Sequence, residues 1–182
     1  MLHSLTLPRY DKVKDFEGLG NYAIKRYYQF PFSFFYCKKL KMILKYFEKC
    51  KVYHNILDFG SGKAEIFREE LQKHALSVKC VDKIEEVQFN WRFNVIVCAS
   101  VLEFTHLPVC IQVLRNITEK DGMILGSSPM DTWLSRMYFK LIGDKNSRHS
   151  HKEIMREIRS KFFIIDYKEW FGLYFSFKAY PI

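Results

Sequence analysis

Hydrophobic positions along this chain change period several times, and the changes mark out the elements. Residues 55–59 form a short apolar run that stops at a glycine turn, which predicts a strand. Helical spacing then carries the pattern over about 63–74, and a second short strand is expected at 77–82. Residues 93–100 are almost continuously apolar, as for a strand covered on both faces. A helix is predicted over 107–118, with Pro108 tolerated in its first turn. Asp121-Gly122 turns the chain into a strand at 123–127, and helical patterns follow at 131–142 and 150–161. Two β-rich runs, 162–170 and 173–180, flank Gly172 and read as an antiparallel hairpin. Alternation of strand and helix predicts an α/β fold, a mostly parallel doubly wound sheet with helices on both faces and this hairpin at its end.

The first 51 residues follow a different pattern. Residues 1–20 read as a loose leader, and residues 21–36 hold eight aromatics, Tyr22, Tyr27 and Tyr28 among them, interrupted by Pro31. Over 37–50, Leu40, Ile43, Leu44 and Phe47 recur at helical spacing between Lys38, Lys39, Lys41, Lys45 and Lys49. The expected organisation is a basic, aromatic helical cap (1–51) on a sheet domain (52–182). The hydrophobic share of 48% excludes wholesale disorder. No run approaches the roughly 18 apolar residues that span a bilayer, and no signal peptide is recognisable. Five scattered cysteines without a C-x-x-C pair suggest reduced thiols and a cytoplasmic protein.

Chemistry concentrates at Asp58-Phe-Gly60-Ser61-Gly62, where the first strand meets its turn. Glycine backbone can approach a ligand closely. Asp82, at the end of the second strand, is spaced to hold two ribose hydroxyls. A dinucleotide would set its diphosphate on the following helix N-terminus. Glu65 stands there instead of a glycine, and with Asp58 it opposes a phosphate. A nucleoside cofactor with a positive centre fits better, and S-adenosylmethionine carries a sulfonium, an ammonium, a ribose and an adenine.

In this register, Asp58, Gly60, Gly62 and Ala64 resemble the first motif of the class I S-adenosylmethionine-dependent methyltransferases. Phe93-Asn-Val-Ile-Val with Leu102-Glu103 resembles the family's fourth-strand motif, with Asn94 in place of the usual Asp, and Asp121-Gly122 with the apolar run after it resembles the fifth strand. The closing hairpin is also a family trait that the dinucleotide fold lacks. The resemblance covers about residues 52–182 and implies a cofactor held by Asp58, Gly60, Ser61, Gly62, Asp82, Ala99 and Ser100. The family normally fits a helix and a third strand after the ribose acid. Only twelve residues separate Asp82 from Val95, so a shortened third-strand edge is expected, with Glu85 or Glu86 as substitutes for the acid beside adenine.

Methyl transfer needs positioning more than acid–base help, because the cofactor is already activated. Candidate acceptor-side residues are His106, past the end of the 93–100 strand, and His149 and His151 before the last helix. The two histidines have no evident third partner for a metal, and Ser150 with Glu153 has the form of a capping box. Residues 1–51 carry 11 Lys/Arg and 4 Asp/Glu, a net of +7; residues 52–130 carry 8 and 10, a net of −2; residues 131–182 carry 10 and 6, a net of +4. Basic flanks with aromatics suit an anionic surface. Together with the stripe Trp133, Leu134, Met137, Tyr138, Leu141 and Ile142 they suggest a small-molecule or lipid-linked acceptor and a peripheral membrane contact. No nucleic-acid-binding motif is present, so nucleic acid is the weaker partner. The rival readings are a non-catalytic methyltransferase-like partner protein and a nicotinamide oxidoreductase.

Overall fold

The computed structural model describes residues 26, 28–47, 51–61, 67–143 and 149–182. Gly62, Lys63, Ala64, Glu65, Tyr22, Tyr27 and Cys50 lie outside them. Helix α1 (Phe32–Leu44) precedes β1 (Tyr53–Phe59), and α2 (Arg68–Gln72) leads into β2 (Ala75–Val81). A single 3₁₀ turn at Ile84–Glu86 connects to β3 (Phe93–Ala99), and another at Leu102–Phe104 to α3 (Leu107–Ile117). Then come β4 (Thr118–Pro129), α4 (Trp133–Ile142), α5 (His151–Arg159), β5 (Phe162–Trp170) and β6 (Tyr174–Pro181).

The six strands lie in the order β2-β1-β3-β4-β6-β5. The first four are parallel, and β6 inserts antiparallel between β4 and β5. The shortened edge takes the form of the Ile84–Glu86 turn, which leaves β2 as the rim of the sheet. Edge position leaves most of β2 exposed or half-buried, and Cys80 only partly covered.

Residue alternation along the strands explains the layers. In β1, Leu57 and Phe59 face a core with α3 and α5, whereas Ile56 faces a second core with α1 and α2. In β3, Ile96 and Cys98 face the first core, and Val95 and Val97 the second. Leu40 and Ile43 bring α1 onto the second core, each burial contributing about 1.5–3 kcal/mol. Asn94 uses both ends of its amide. Its Oδ1 accepts the His54 and Asn55 amides at 3.0 and 3.1 Å, while its Nδ2 donates to Glu119. An aspartate has no proton to give Glu119.

Strand β4 starts at Thr118, earlier than the turn at Asp121-Gly122 suggested, and a register shift against β3 absorbs the extra residues. The six-residue stripe on α4 divides. Tyr138 and Ile142 are buried in a third cluster with Leu173 and Tyr174, whereas Trp133, Met137 and Leu141 are exposed.

Candidate functional site

The carboxyl ends of β1, β2, β3 and β4 converge on one rim of the sheet, where open α/β folds bind ligands. Gly60 has φ +75°, and its N–H donates to the Val81 carbonyl at 2.7 Å. That bond sets Asp82, the next residue, against the bend. Asp82 is exposed there, and its own N–H reaches the Glu86 carboxylate at 3.4 Å. Ser61 follows the bend, half-buried.

Gly60 does not leave open space on its Cβ side, as the approach of a ligand to bare backbone would suggest. An added Cβ would lie 2.3 Å from the Cβ of Val101. Glycine is therefore required by the left-handed turn and by the tight packing of Val101 under it.

Asp58 is fully buried one turn-length below the bend, on the face that α1 covers. Its charge acts on its neighbours. Burial pushes the Tyr36 phenol up, with smaller upward contributions from Tyr28, Asp58, Cys37 and Tyr138. Burial likewise raises the Cys98 thiol, aided by Cys110, Asp58 and Glu103. Both groups stay neutral near pH 7 beside an acidic centre.

Lys39 was absent from the sequence candidates. The sequence sets it among five lysines of a basic helix, yet it is only 3% exposed. Its Nζ donates to the Ser100 hydroxyl at 3.0 Å and lies 4.4 Å from the Tyr36 ring centre and 5.9 Å from that of Tyr174. Burying an ammonium costs several kcal/mol. A bond to a charged donor returns about 1.5–3 kcal/mol and a ring face about 0.5–2. Ser100 itself has φ 59°, a left-handed conformation uncommon outside glycine, and is pinned by its N–H to the Ser127 carbonyl at 2.7 Å. Ala99 precedes it, half-buried, on the α1 side of the sheet. The fully buried Ser127 hydroxyl has no hydrogen-bond partner among the described residues.

A cavity of about 460 Å³ lies beside this rim, between the end of β4, α4 and the start of α5. Ligand pockets fall in this size range. Glu103, Met130, Phe139, Lys140, His149 and His151 are among its walls. Asp58, Gly60, Asp82 and Ser100 are not, so the cavity adjoins the strand-end cluster rather than containing it. Glu103 is 2% exposed, and its Oε2 accepts the Ser128 hydroxyl at 2.8 Å. The sequence motif contained Glu103, but only the fold turns it toward the cavity.

The three candidate histidines separate. His149 and His151 line the cavity, whereas His106 is an exposed residue at the N-terminus of α3 and lines no part of it. His149 Nε2 lies 2.9 Å from the Thr105 carbonyl. A carbonyl only accepts, so Nε2 is the donor, and in the neutral ring Nδ1 holds the lone pair. The buried Nδ1 of His151 has no hydrogen-bond partner among the described residues. Ser150 and Glu153 form the expected capping box: the Ser150 hydroxyl accepts the Glu153 amide at 3.3 Å, and the Glu153 carboxylate accepts the Ser150 amide at 2.7 Å. Among the described residues no group of three or more His, Cys, Asp or Glu side chains could hold a metal ion.

The residues present suit a nucleoside amino acid: a buried carboxylate for its ammonium, a buried ammonium for its carboxylate, and an exposed acid at the next strand end for its ribose. No family model and no curated protein matches the sequence. Solved structures do match in fold. N-methyltransferase NodS from Bradyrhizobium japonicum WM9, in complex with S-adenosyl-L-homocysteine, is 12% identical with a TM-score of 0.66, over 94% of this chain and 97% of that one. Magnesium protoporphyrin IX methyltransferase (ChlM) from Synechocystis PCC 6803, with bound S-adenosylhomocysteine, is 13% identical with a TM-score of 0.60, over 95% and 94%. Geranyl diphosphate C-methyltransferase from Streptomyces coelicolor A3(2) is 7% identical with a TM-score of 0.62, over 96% and 88%. These likenesses define the architecture: the chain has the class I S-adenosylmethionine-dependent methyltransferase fold, with the antiparallel β6 that separates it from a dinucleotide-binding sheet.

Proposed function

We propose that the protein binds S-adenosylmethionine and methylates a small-molecule or lipid-linked acceptor. The observation that carries this reading is the buried Asp58 at the end of β1 and the buried Lys39 bonded to half-buried Ser100 just past β3, with Asp82 set against the Gly60 bend. When bound, the cofactor supplies an activated methyl group on a sulfonium. The chain's own part is placement. Asp58 meets the ammonium, Lys39 and Ser100 meet the carboxylate, and Asp82 takes the ribose hydroxyls. Matching structures hold S-adenosylhomocysteine on the same fold, which supports the cofactor assignment.

The acceptor occupies the 460 Å³ cavity. Glu103 orients it by hydrogen bonding, and His149 Nδ1, fixed as a lone pair by the bond from Nε2 to Thr105, takes a proton where the acceptor has one to lose. Among matching structures, one holds 1,6-didemethyltoxoflavin and another geranyl diphosphate, which supports a small organic acceptor. The buried free thiols Cys98 and Cys110 support a reducing, cytoplasmic setting.

A second reading rests on the lost third strand and on Val101 packed under Gly60: a non-catalytic relative that serves as a partner subunit. Calorimetric titration with S-adenosylhomocysteine separates the two. Saturable one-to-one binding supports the enzyme, and absence of heat at millimolar ligand supports the relative.

A further inference from the structure

We infer that the exposed half of α4, the β5–β6 hairpin tip and the start of α1 form one face that docks on an anionic lipid surface, so that the acceptor cavity loads from the membrane. The inference rests on the proposed methyltransferase activity only for what enters the cavity.

Three elements meet at this face. Thr132, which caps α4, donates its hydroxyl to the Gly172 carbonyl at 2.5 Å and so joins the helix to the hairpin tip. Phe32 and Phe35 of α1 pack on Tyr138 of α4, with ring centres 5.7 and 5.5 Å away, and Phe34 lies 6.3 Å from Trp170. Around this buried joint, large apolar side chains stay in water. Trp133 is 74% exposed and Phe171 76%, with Met137, Leu141, Phe30 and Phe34 also exposed. A single exposed leucine needs no explanation, but a contiguous set from three elements does.

Charge selects the occupant. Arg136 and Lys140 lie at the flank of the exposed stripe, and both also line the cavity. Arg26 donates to the Leu141 carbonyl at the far end of α4. Among the described residues, Asp131 pairs with Arg136 at 3.2 Å. A two-fold dimer through this face would set these cations against their own copies, between chains of net charge +9 each. An anionic bilayer takes up both the aromatic anchors and the cations. Because Arg136 and Lys140 border the stripe and the cavity together, docking would bring the cavity mouth to the headgroup layer. An acceptor with an apolar tail then enters without crossing water.

The test is co-sedimentation of the whole protein with phosphatidylcholine vesicles, with and without phosphatidylserine. Wild type is expected to sediment with the anionic vesicles and to be released as salt rises. The double variant Trp133→Ser, Phe171→Ser is expected to lose at least about tenfold in vesicle affinity, since two large apolar anchors leave the interface. Its S-adenosylhomocysteine binding should be unchanged, which shows that it is folded. Wild type remaining in the supernatant, or the double variant sedimenting like wild type, overturns the inference. So does a wild-type dimer in sedimentation equilibrium that the same substitutions dissociate, because the face is then occupied by a second copy. Vesicle binding without cofactor binding would leave docking intact and remove the enzyme reading instead.

Discussion

Lys39 donates a hydrogen bond to Ser100 at 3.0 Å, joining α1 to the end of β3 across 61 positions of sequence. The pair ties the N-terminal helix to the strand-end rim, so under the proposed function α1 belongs to the site as well as to the core. Lys39→Met keeps the apolar stem and removes the charge. It should weaken S-adenosylhomocysteine binding by about ten- to a hundredfold, the worth of one charge-assisted bond of about 1.5–3 kcal/mol. Thermal stability should fall, because Ser100 loses its donor and the rings of Tyr36 and Tyr174 lose their cation. Calorimetry and a melting curve on the same sample check both halves.

Gly60→Ala should be strongly destabilising. The new methyl would lie 2.3 Å from Val101 Cβ, at a φ of +75°. Overpacking of about 1–3 kcal/mol adds to about 1–2 kcal/mol for the left-handed conformation. Adding Val101→Ala removes the γ-methyl contacts at 2.4 and 3.0 Å but leaves the Cβ contact and the turn, so only partial recovery is expected. A denaturant double-mutant cycle measures this coupling.

Strands β1 and β3 are readable because both faces are covered, which leaves apolar residues on both sides of the sheet at Ile56, Leu57 and Phe59 and at Val95–Cys98. Strand β2 was also found, although its edge position leaves only Val81 buried. The fate of α4 was not readable. Six apolar residues in three adjacent pairs span too wide an arc to pack on one neighbour, and the sequence does not say which half faces Tyr174. Lys39 was hidden for a similar reason. Among Lys38, Lys41 and Lys45 nothing marks the one whose stem crosses the core, since its partner Ser100 is distant in sequence. His106 follows the end of a strand in sequence, but it stands exposed at the N-cap of α3 and lines no part of the cavity.

The Asn94 amide predicts a specific electrostatic outcome. Asn94→Asp introduces the residue that the resembled strand motif usually carries but sets two carboxylates together, because Glu119 loses its donor. Stability should fall by about 1–3 kcal/mol at neutral pH and recover in part as acid protonates the pair. Chemical denaturation at pH 7 and at mildly acid pH checks the sign.

The cap of α5 predicts a second pH effect. Hydrogen bonds from the Ser150 backbone, then its hydroxyl, hold the Glu153 carboxyl below its ordinary value. A carboxyl lowered by folding stabilises fully above the ordinary carboxylate range and loses that contribution as pH falls through the lowered value. Glu153→Gln should therefore flatten the acid limb of the stability–pH curve. Ser150→Ala should cost about 1 kcal/mol at neutral pH, a typical loss for a helix cap. Because the cap orients the segment bearing His149 and His151, Ser150→Ala should also lower turnover while leaving S-adenosylhomocysteine affinity intact.

Glu103 and His149 are separable from cofactor binding by the same logic. Glu103→Gln and His149→Gln should each reduce methyl transfer to a cognate acceptor by about ten- to a thousandfold, the range for orientation and proton removal. Neither should alter S-adenosylhomocysteine affinity, since both line the cavity away from the Asp58 cluster. Equal loss of cofactor binding in either variant would merge the two sites.

The most direct measurement is a calorimetric titration of S-adenosylhomocysteine into the wild-type protein and into Asp82→Asn. The account predicts one saturable site in wild type and clearly weaker binding in the variant, with melting temperature preserved because Asp82 is exposed. No heat from wild type at about 1 mM ligand, where even an affinity of −4.1 kcal/mol half-fills a site, would contradict it, and so would identical isotherms for the two proteins.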